Sequence, residues 1–127
     1  MFQHYHRASS DAYYRQGSSL TRGTFYLVEV RSDVGSVQIL KRVNGTVTLL
    51  ASTPYGLPDT FTMRSVYRSG KLHVYVDGVG GGIYLSATDS QIGAGYIGVG
   101  VDDVSCCYSP SYITQVSFGN IETIAPS

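Results

Sequence analysis

The sequence has few of the residues that identify a specific chemistry. The 127-residue chain contains two cysteines, no tryptophan, and nine basic against nine acidic side chains. Two cysteines cannot build a framework of several disulfides, and Cys106 and Cys107 are adjacent, so a bond between them would close a strained ring. We therefore expect a core that is held together by packing rather than by disulfides.

Balanced charge and the lack of long apolar runs argue against two classes of partner. A formal net charge of zero gives no long-range attraction to nucleic acid. No apolar run approaches the ~18 residues of a membrane-spanning helix, and residues 1–17 lack the apolar segment of a signal peptide. We expect one domain over residues 1–127, with a core over about 3–121 and a short tail at 122–127, that neither inserts into a membrane nor binds nucleic acid.

Arrangements typical of metal centres and catalytic sites are also lacking. The histidines and cysteines form no spaced set of zinc ligands; His4 and His6 would share one face of a strand and could bind a metal weakly, or simply form a polar strand face. A glycosidase needs two carboxylates around one sugar bond, but no acid-x-acid pair occurs, and consecutive Asp102 and Asp103 would point to opposite faces of a strand. No serine lies in a G-x-S-x-G elbow. We predict that the protein is not an enzyme.

Apolar residues that alternate with polar ones are present along most of the chain. In the segment TFYLVEVR, for example, Tyr26, Val28 and Val30 share one face. No long stretch has the i, i+3, i+4, i+7 spacing of an amphipathic helix. Turn signals recur about every eight to twelve residues, which is the spacing of an antiparallel sandwich or barrel. These features predict an all-β fold.

The dipeptide Asn44-Gly45 predicts a hairpin between the segments SVQILKRV and TVTLLAS. Both residue types tolerate the positive φ of a type I′ turn. By strict alternation, Val47, Leu49 and Ala51 should share one face of the second strand. Further strands are predicted for TFTMRSVY, LHVYVD, IYLSATDS, GYIGVGV and YITQVSFGNI.

The glycine-rich segment DGVGGG raises the question of a phosphate-binding loop. Such a loop leads from a strand into a helix whose N–H groups face the anion, and no helix is predicted after these glycines. Asp77-Gly78 is instead predicted to be a hairpin dipeptide, with the following glycines as a loose hairpin tip. We therefore expect no nucleotide site here.

Several segments together resemble one known family. The segments YYRQG, KRVNGT, YVDG, TDS and GYIGVG resemble those of the concanavalin A-like lectin/glucanase (laminin G-like) jelly-roll family, and in particular domains of actinobacterial secreted proteins and of actinobacteriophage minor tail proteins. The likeness runs from about residue 3 to residue 121 and implies an antiparallel β-sandwich of jelly-roll topology that lacks the usual first strands. Missing strands would leave exposed edges and apolar surface, which either a minimised sandwich or a neighbouring subunit would have to cover.

The resemblance also implies carbohydrate binding on one sheet. Sugar rings stack on aromatic side chains, with polar groups for their hydroxyls. We predict that His73 and Tyr75 share an outward strand face with Arg64 on a neighbouring strand, and that Tyr14 and Arg15 are adjacent on another strand. Outward tyrosines also suit β-sheet propensity without any ligand, so both interpretations stay open at this point.

Calcium assists carbohydrate binding in some members of that family. Asp102 and Asp103 are the candidate ligands here, although two carboxylates supply few of the 6–8 oxygen ligands that calcium takes. No other metal or cofactor is predicted.

The sequence and the resemblance suggest three functions. The first is a non-enzymatic phage virion protein, a head decoration or tail-associated jelly roll that contacts other virion subunits, forms a homo-oligomer, and adheres to host-surface glycans. It would assemble in the host cytoplasm. The second is a carbohydrate-binding module of a secreted, extracellular bacterial protein. The third, a degenerate glucanase, requires paired carboxylates that the sequence lacks. We expect the first.

Overall fold

A computed structural model describes residues 2–31, 34–56, 60–78 and 81–101, and the fold is given for these residues. They form eight strands and no helix: β1 Phe2–Ala8, β2 Phe25–Arg31, β3 Ser36–Val43, β4 Thr46–Pro54, β5 Phe61–Arg68, β6 Lys71–Gly78, β7 Gly81–Thr88 and β8 Tyr96–Val101. A large sheet has the order β4-β3-β2-β1-β8, and a small sheet has the order β5-β6-β7. The pairings within both sheets are antiparallel, which confirms the predicted all-β sandwich.

Several predictions fall outside the described residues. They are the strand over YITQVSFGNI, the cysteines Cys106 and Cys107, and the calcium candidates Asp102 and Asp103. Jelly-roll topology likewise stays a prediction. In the described part of the chain, no helix is long and apolar enough to cross a membrane.

The main core lies between the two sheets because their strands place alternate apolar residues on facing sides. The buried residues of this core are Tyr26, Val28, Val30, Val37 and Ile39 from the large sheet, Tyr67, Leu72, Val74 and Val76 from the small sheet, and Tyr55 and Ile92 from the connections. Burying an aliphatic or aromatic side chain of this size contributes about 1.5–3 kcal/mol, so this interior supplies most of the stability.

A second, smaller core covers the outer face of the large sheet. The segment between β1 and β2, residues 9–24, places Tyr14 against Phe25, with 6.1 Å between the ring centroids. Tyr5 meets the same phenylalanine edge to face at 5.5 Å. Strand β2 is therefore buried on both faces, which explains why its residues from Phe25 to Val30 are all buried.

Two hairpin turns are closed by residues with positive φ. The predicted Asn44-Gly45 turn is confirmed, with φ angles of 52° and 79°. Ser69-Gly70 closes the β5–β6 hairpin in the same way, with φ angles of 52° and 76°. Glycine suits the second position of each turn because it reaches positive φ without steric cost.

Strict alternation fails on β4. The register shifts by one residue between the pair of Ile39 with Ala51 and the pair of Leu40 with Leu49. This β-bulge turns Val47 and Leu49 to the outer face of the large sheet, where both are exposed, while Ala51 packs against the main core. The prediction that these three residues share one face is therefore wrong.

The second predicted hairpin turn is also misplaced. Asp77 pairs with Gly82, and Gly78 pairs with Gly81, so all four belong to the strands of the β6–β7 hairpin. The connection between the strands consists of residues 79–80, which lie outside the described part of the chain. The correction moves the turn by two residues and changes which side chains face each other across the hairpin.

Strand β8 is the last strand of the large sheet among the described residues. Within the described segments it has a strand partner, β1, on one side only. Val99 and Val101 pair with the inward residues His4 and Phe2 of β1, yet these two valines and Ile97 are each between 37% and 41% exposed. The sandwich thus presents apolar surface at one edge.

Candidate carbohydrate-binding surface

The outer face of the small sheet brings together most of the predicted ligand-binding residues. The apolar residues of β6 face the main core, so the alternating His73 and Tyr75 face outwards. The register places Arg64 of β5 opposite Tyr75 on one side and Tyr84 of β7 opposite it on the other. Arg64, Tyr75 and Tyr84 therefore form a row across all three strands.

These side chains contact one another. The Arg64 guanidinium carbon lies 4.6 Å from the centroid of the Tyr75 ring. The rings of Tyr75 and Tyr84 are 4.9 Å apart at an angle of 43°. The Tyr84 hydroxyl lies 2.7 Å from Nδ1 of His73, and Tyr84 itself is 49% exposed. We call Arg64, His73, Tyr75 and Tyr84 the tyrosine patch.

The surroundings of the histidine in the patch favour its neutral form. Partial burial lowers the pKa of His73, and the positive charges of Lys71 and Arg68 lower it further. A neutral imidazole can accept a hydrogen bond at Nδ1, so it can receive the Tyr84 O–H. This bond orients the ring of Tyr84, which is half exposed.

Two of the predicted ligand-binding residues lie elsewhere. Tyr14 is only 8% exposed, because it packs on Phe25 under the segment that covers the large sheet. Arg15 follows it on the same segment and is exposed, but on the other side of the sandwich from the tyrosine patch. These two residues were expected on a strand; the segment instead has a single isolated bridge between Tyr13 and Arg22.

Sequence reasoning missed Tyr84, the most exposed tyrosine of the patch. A turn at Asp77-Gly78 would not pair it with Tyr75. With the connection at residues 79–80, the two tyrosines are directly opposite each other. The sequence spacing between Tyr75 and Tyr84 is therefore sufficient to pair them, but only when the β6–β7 turn is placed at residues 79–80.

The two histidines of β1 share one face, as alternation predicts, but that face points into the sandwich. Nδ1 of His4 and Nε2 of His6 each lie 2.7 Å from the hydroxyl oxygen of Ser65 on β5. Both hydrogen bonds can form at once if Ser65 accepts the N–H of His6 and donates its O–H to His4. Burial lowers the pKa of His4 to about 4; burial and the nearby His4 lower the pKa of His6 to about 3. The cluster therefore joins the sheets in its uncharged form.

Buried polar groups occupy the outer side of the large sheet. Glu29 accepts hydrogen bonds from the side-chain amides of Gln3 at 2.9 Å and Gln38 at 3.0 Å. The Tyr5 hydroxyl donates to Oε1 of Gln3 and accepts the backbone N–H of Tyr14. Glu29 is thus engaged within the fold, beneath the covering segment.

Asp89 ties the β7–β8 connection to the large sheet. Its carboxylate accepts a hydrogen bond from the Tyr26 hydroxyl and forms an ion pair with Lys41, each at 2.6 Å. Burial alone would raise the pKa of Asp89, but the bonds from Lys41 and Tyr26 outweigh it and hold the pKa below its ordinary value. The TDS segment quoted above therefore has a structural role.

Among the residues that the structure describes, no group of three or more His, Cys, Asp or Glu side chains is placed to hold a metal ion. Comparison of the chain with protein-family models, with curated proteins and with solved structures finds no match. The tyrosine patch is therefore the feature from which a function can be inferred.

Proposed function

We propose that the protein is a non-enzymatic carbohydrate-binding β-sandwich that adheres to glycans through the tyrosine patch. The observation that carries this proposal is the row of Arg64, Tyr75 and Tyr84 across the exposed face of the small sheet. A half-exposed tyrosine ring on a rigid strand offers a flat apolar surface for the C–H face of a sugar, and its hydroxyl can contact water or sugar hydroxyls.

Polar groups around the rings fit the same ligand. The register places Ser86 beside His73, and Thr62 and Asp77 beside each other near Tyr75. Hydroxyl, imidazole and carboxylate groups can donate or accept hydrogen bonds with sugar hydroxyls. The ring of Tyr84 is half exposed on a strand, an arrangement that suits a polymer or a cell-surface glycan better than a small metabolite.

Two of the acids support a non-catalytic role. Glu29 is buried in its amide network, and Asp89 is bonded to Lys41 and Tyr26. Neither lies on the tyrosine patch, so neither can flank a sugar bond that is bound there. Such an adhesion module could act on a phage virion or within a secreted bacterial protein.

The test uses two exposed tyrosines on different sheets. Tyr84→Ala removes the open ring of the patch, whereas Tyr96→Ala removes a tyrosine on β8 that is 67% exposed and lines a separate groove of about 360 Å³. We expect wild type and Tyr96→Ala to bind the same glycans on an array, and Tyr84→Ala to lose about ten-fold or more in affinity. Absence of glycan binding by wild type, or loss with Tyr96→Ala alone, would contradict the proposal.

A second candidate function, a self-associating virion subunit, is favoured by the apolar edge of the large sheet. Strand β8 carries no charged side chain, and Ile97, Val99 and Val101 remain exposed on it. Among the described strands β8 is an edge strand, and an uncharged edge strand can pair with another strand, here that of a second copy.

Light scattering after gel filtration tests this second candidate. We expect wild type to be an oligomer, and Val99→Lys to shift it to a monomer because a charge at the edge opposes pairing. Thr53→Lys, on the opposite edge strand β4, is the control and should leave the mass unchanged. A wild-type monomer, or an oligomer that persists in Val99→Lys, would rule out assembly through β8.

A further inference from the structure

We propose that mild acid opens the contact between strands β1 and β5 and thereby weakens glycan binding by the tyrosine patch. This inference rests on the proposed carbohydrate binding and adds regulation by pH to it. It is carried by the geometry of His4, His6 and Ser65, whose side chains join the two sheets by hydrogen bonds. We call these three residues the inter-sheet cluster.

One hydroxyl group connects both histidines to the small sheet. Nδ1 of His4 and Nε2 of His6 each lie 2.7 Å from the Ser65 oxygen, so the two rings converge on one point of β5. Elsewhere along the same two strands, Phe2 meets Phe61 edge to face, with 5.2 Å between the ring centroids. That aromatic contact contains no titratable group, whereas the inter-sheet cluster contains two.

The hydrogen bonds of the cluster fix how many protons it can hold. With both rings neutral, His6 donates its Nε2–H to Ser65, and Ser65 donates its O–H to Nδ1 of His4. A proton added at Nδ1 of His4 takes away the acceptor of the Ser65 hydroxyl. A proton added at Nδ1 of His6 creates a buried N–H without an acceptor, because this atom has no partner among the described residues. The closed arrangement therefore excludes further protons.

The strands beside the two histidines contribute uncharged neighbours. On β2, Val28 pairs with His4 and Tyr26 pairs with His6. On β8, Val99 pairs with His4. Burial is the main cause that raises the pKa of Tyr26, so its hydroxyl stays neutral in mild acid. These neighbours leave the histidines as the groups of this contact that titrate below pH 7.

The charged side chains around the cluster do not compensate an added proton. Lys41 belongs to the row of paired residues that starts at His6, and it forms an ion pair with Asp89 at 2.6 Å. Arg7 follows His6 on β1, and its guanidinium carbon lies 4.2 Å from the centroid of the Tyr67 ring. Among the described residues, no carboxylate is bonded to either ring of the cluster. A protonated ring would thus be a buried charge without a counter-ion.

Protons consequently favour the open contact. Burial lowers the pKa of His4 to about 4, and burial together with His4 lowers the pKa of His6 to about 3. Rings that are released into water have the ordinary pKa of about 6.5. Below that pH the open form binds more protons than the closed form, so opening becomes more frequent as the pH falls. Between about pH 7.5 and about pH 5, each histidine raises the opening equilibrium roughly thirty-fold.

Strand β5 links the inter-sheet cluster to the tyrosine patch. Arg64 and Ser65 are consecutive, so their side chains lie on opposite faces of β5. Ser65 is bonded to β1 inside the sandwich, while the guanidinium carbon of Arg64 lies 4.6 Å from the centroid of the Tyr75 ring on the outer face. When Ser65 is released, the large sheet no longer fixes β5 through this cluster. The row of Arg64, Tyr75 and Tyr84 is then complete only in the closed form, and the apparent affinity falls with the closed fraction.

Hydrogen–deuterium exchange of the full chain tests the opening without a ligand. After correction for the chemical exchange rate, we expect the amides of β5 to open about ten-fold or more often at pH 5 than at pH 7.5. The amides of β2 and β3 should remain better protected at both pH values. Equal opening of β5 at the two pH values would overturn the proposal.

Two variants assign the opening to the cluster. His4→Gln with His6→Gln removes both titratable rings, so its β5 amides should open equally often at the two pH values. Ser65→Ala keeps the histidines and deletes the shared hydroxyl, so it should raise the opening of β5 already at pH 7.5. An undiminished pH dependence in the double variant, or unchanged opening in Ser65→Ala, would contradict the assignment.

Titration calorimetry at the same two pH values tests the release of glycans. The probes are dextran, xylan and galactomannan, neutral polysaccharides whose charge does not change in this range. We expect the affinity of wild type to fall about five-fold or more from pH 7.5 to pH 5. His73→Gln is the control for titration within the tyrosine patch: whatever its affinity at pH 7.5, the ratio between the two pH values should match that of wild type.

The outcomes separate the two proposals. Binding that is equally tight at both pH values, or a ratio that disappears in His73→Gln, would overturn regulation through the inter-sheet cluster and leave carbohydrate binding standing. Opening of β5 without a loss of affinity would likewise overturn the link between the cluster and the patch. Failure to bind any glycan at pH 7.5 would overturn the proposed function and glycan release with it, while the exchange measurement would still decide whether acid opens the β1–β5 contact.

Discussion

The two outer faces of the sandwich differ in how their aromatic residues are used. On the large sheet, residues 9–24 cover the face, and Tyr5, Tyr14 and Phe25 form a second core. On the small sheet, Tyr75 contacts both Arg64 and Tyr84, and Tyr84 stays half exposed. The same residue type is therefore a core residue on one sheet and a surface residue on the other.

This difference shows that strand alternation alone does not decide exposure. Alternation selects the face, but a segment from elsewhere in the chain decides whether that face is open. The covered face of the large sheet contains buried polar side chains. Gln3, Glu29 and Gln38 satisfy one another by hydrogen bonds. On the outer face of the small sheet, the hydroxyl of Tyr84 bonds to the ring of His73, and Tyr84 stays half exposed.

The largest expected effect comes from removing one aromatic ring from each face. Phe25→Ala should lower the free energy of unfolding by about 3–5 kcal/mol, because the ring is fully buried against Tyr5 and Tyr14. Tyr84→Ala should lower it by about 1 kcal/mol or less, since that ring is half exposed. Urea denaturation followed by circular dichroism measures both. Similar losses for the two variants would contradict the contrast between the faces.

The contact between the sheets should weaken in mild acid. In the unfolded chain His4 and His6 take up protons near the ordinary pKa of 6.5, but in the folded chain their pKa values are about 4 and about 3. Protons therefore favour the unfolded chain below pH 6.5, so the stability present above that pH is lost as the pH falls towards 4. We expect a loss of roughly 2 kcal/mol per histidine between about pH 7.5 and about pH 5.

Chemical denaturation across that pH range provides the check. The double variant His4→Gln with His6→Gln should be less stable at neutral pH, but its stability should depend much less on pH. His73→Gln should keep most of the wild-type slope, because His73 is more exposed. Asp89, whose pKa is held below its ordinary 3.8, contributes stability that is lost only at still lower pH. A wild type that is equally stable at both ends of the range would refute the role of the histidine pair.

Features that follow from the two-residue alternation of β-strands could be predicted from the sequence. The inward residues of β2 and β6, the outward positions of His73 and Tyr75, and the Asn44-Gly45 turn all follow from local pattern and turn chemistry. Each requires knowledge of neighbouring residues only. Most of the fold class was therefore predictable.

Features that depend on register or on distant segments could not be predicted. The bulge that separates Leu49 from Ala51 and the true position of the β6–β7 turn change pairing by one or two residues. The burial of Tyr14 depends on where a connecting segment packs, and the pairing of Tyr75 with Tyr84 depends on the turn. Three of the four residues of the tyrosine patch could thus be named from the sequence, and the fourth, the half-exposed Tyr84, could not.

The smallest effect, and the finest test of the contrast, is the removal of one hydroxyl from each face. Tyr5→Phe deletes the group that donates to Gln3 and accepts the N–H of Tyr14, both buried, so it should lower the free energy of unfolding by about 1–3 kcal/mol. Tyr84→Phe deletes a hydroxyl whose partner, His73, can bond to water instead, so it should cost about 0.5 kcal/mol or less. Thermal unfolding of both variants at the same protein concentration measures these two losses of stability. If Tyr84→Phe were as destabilising as Tyr5→Phe, the hydroxyl of Tyr84 would contribute to stability as a buried group does. The outer face of the small sheet would then be part of the structural core rather than a surface for a ligand.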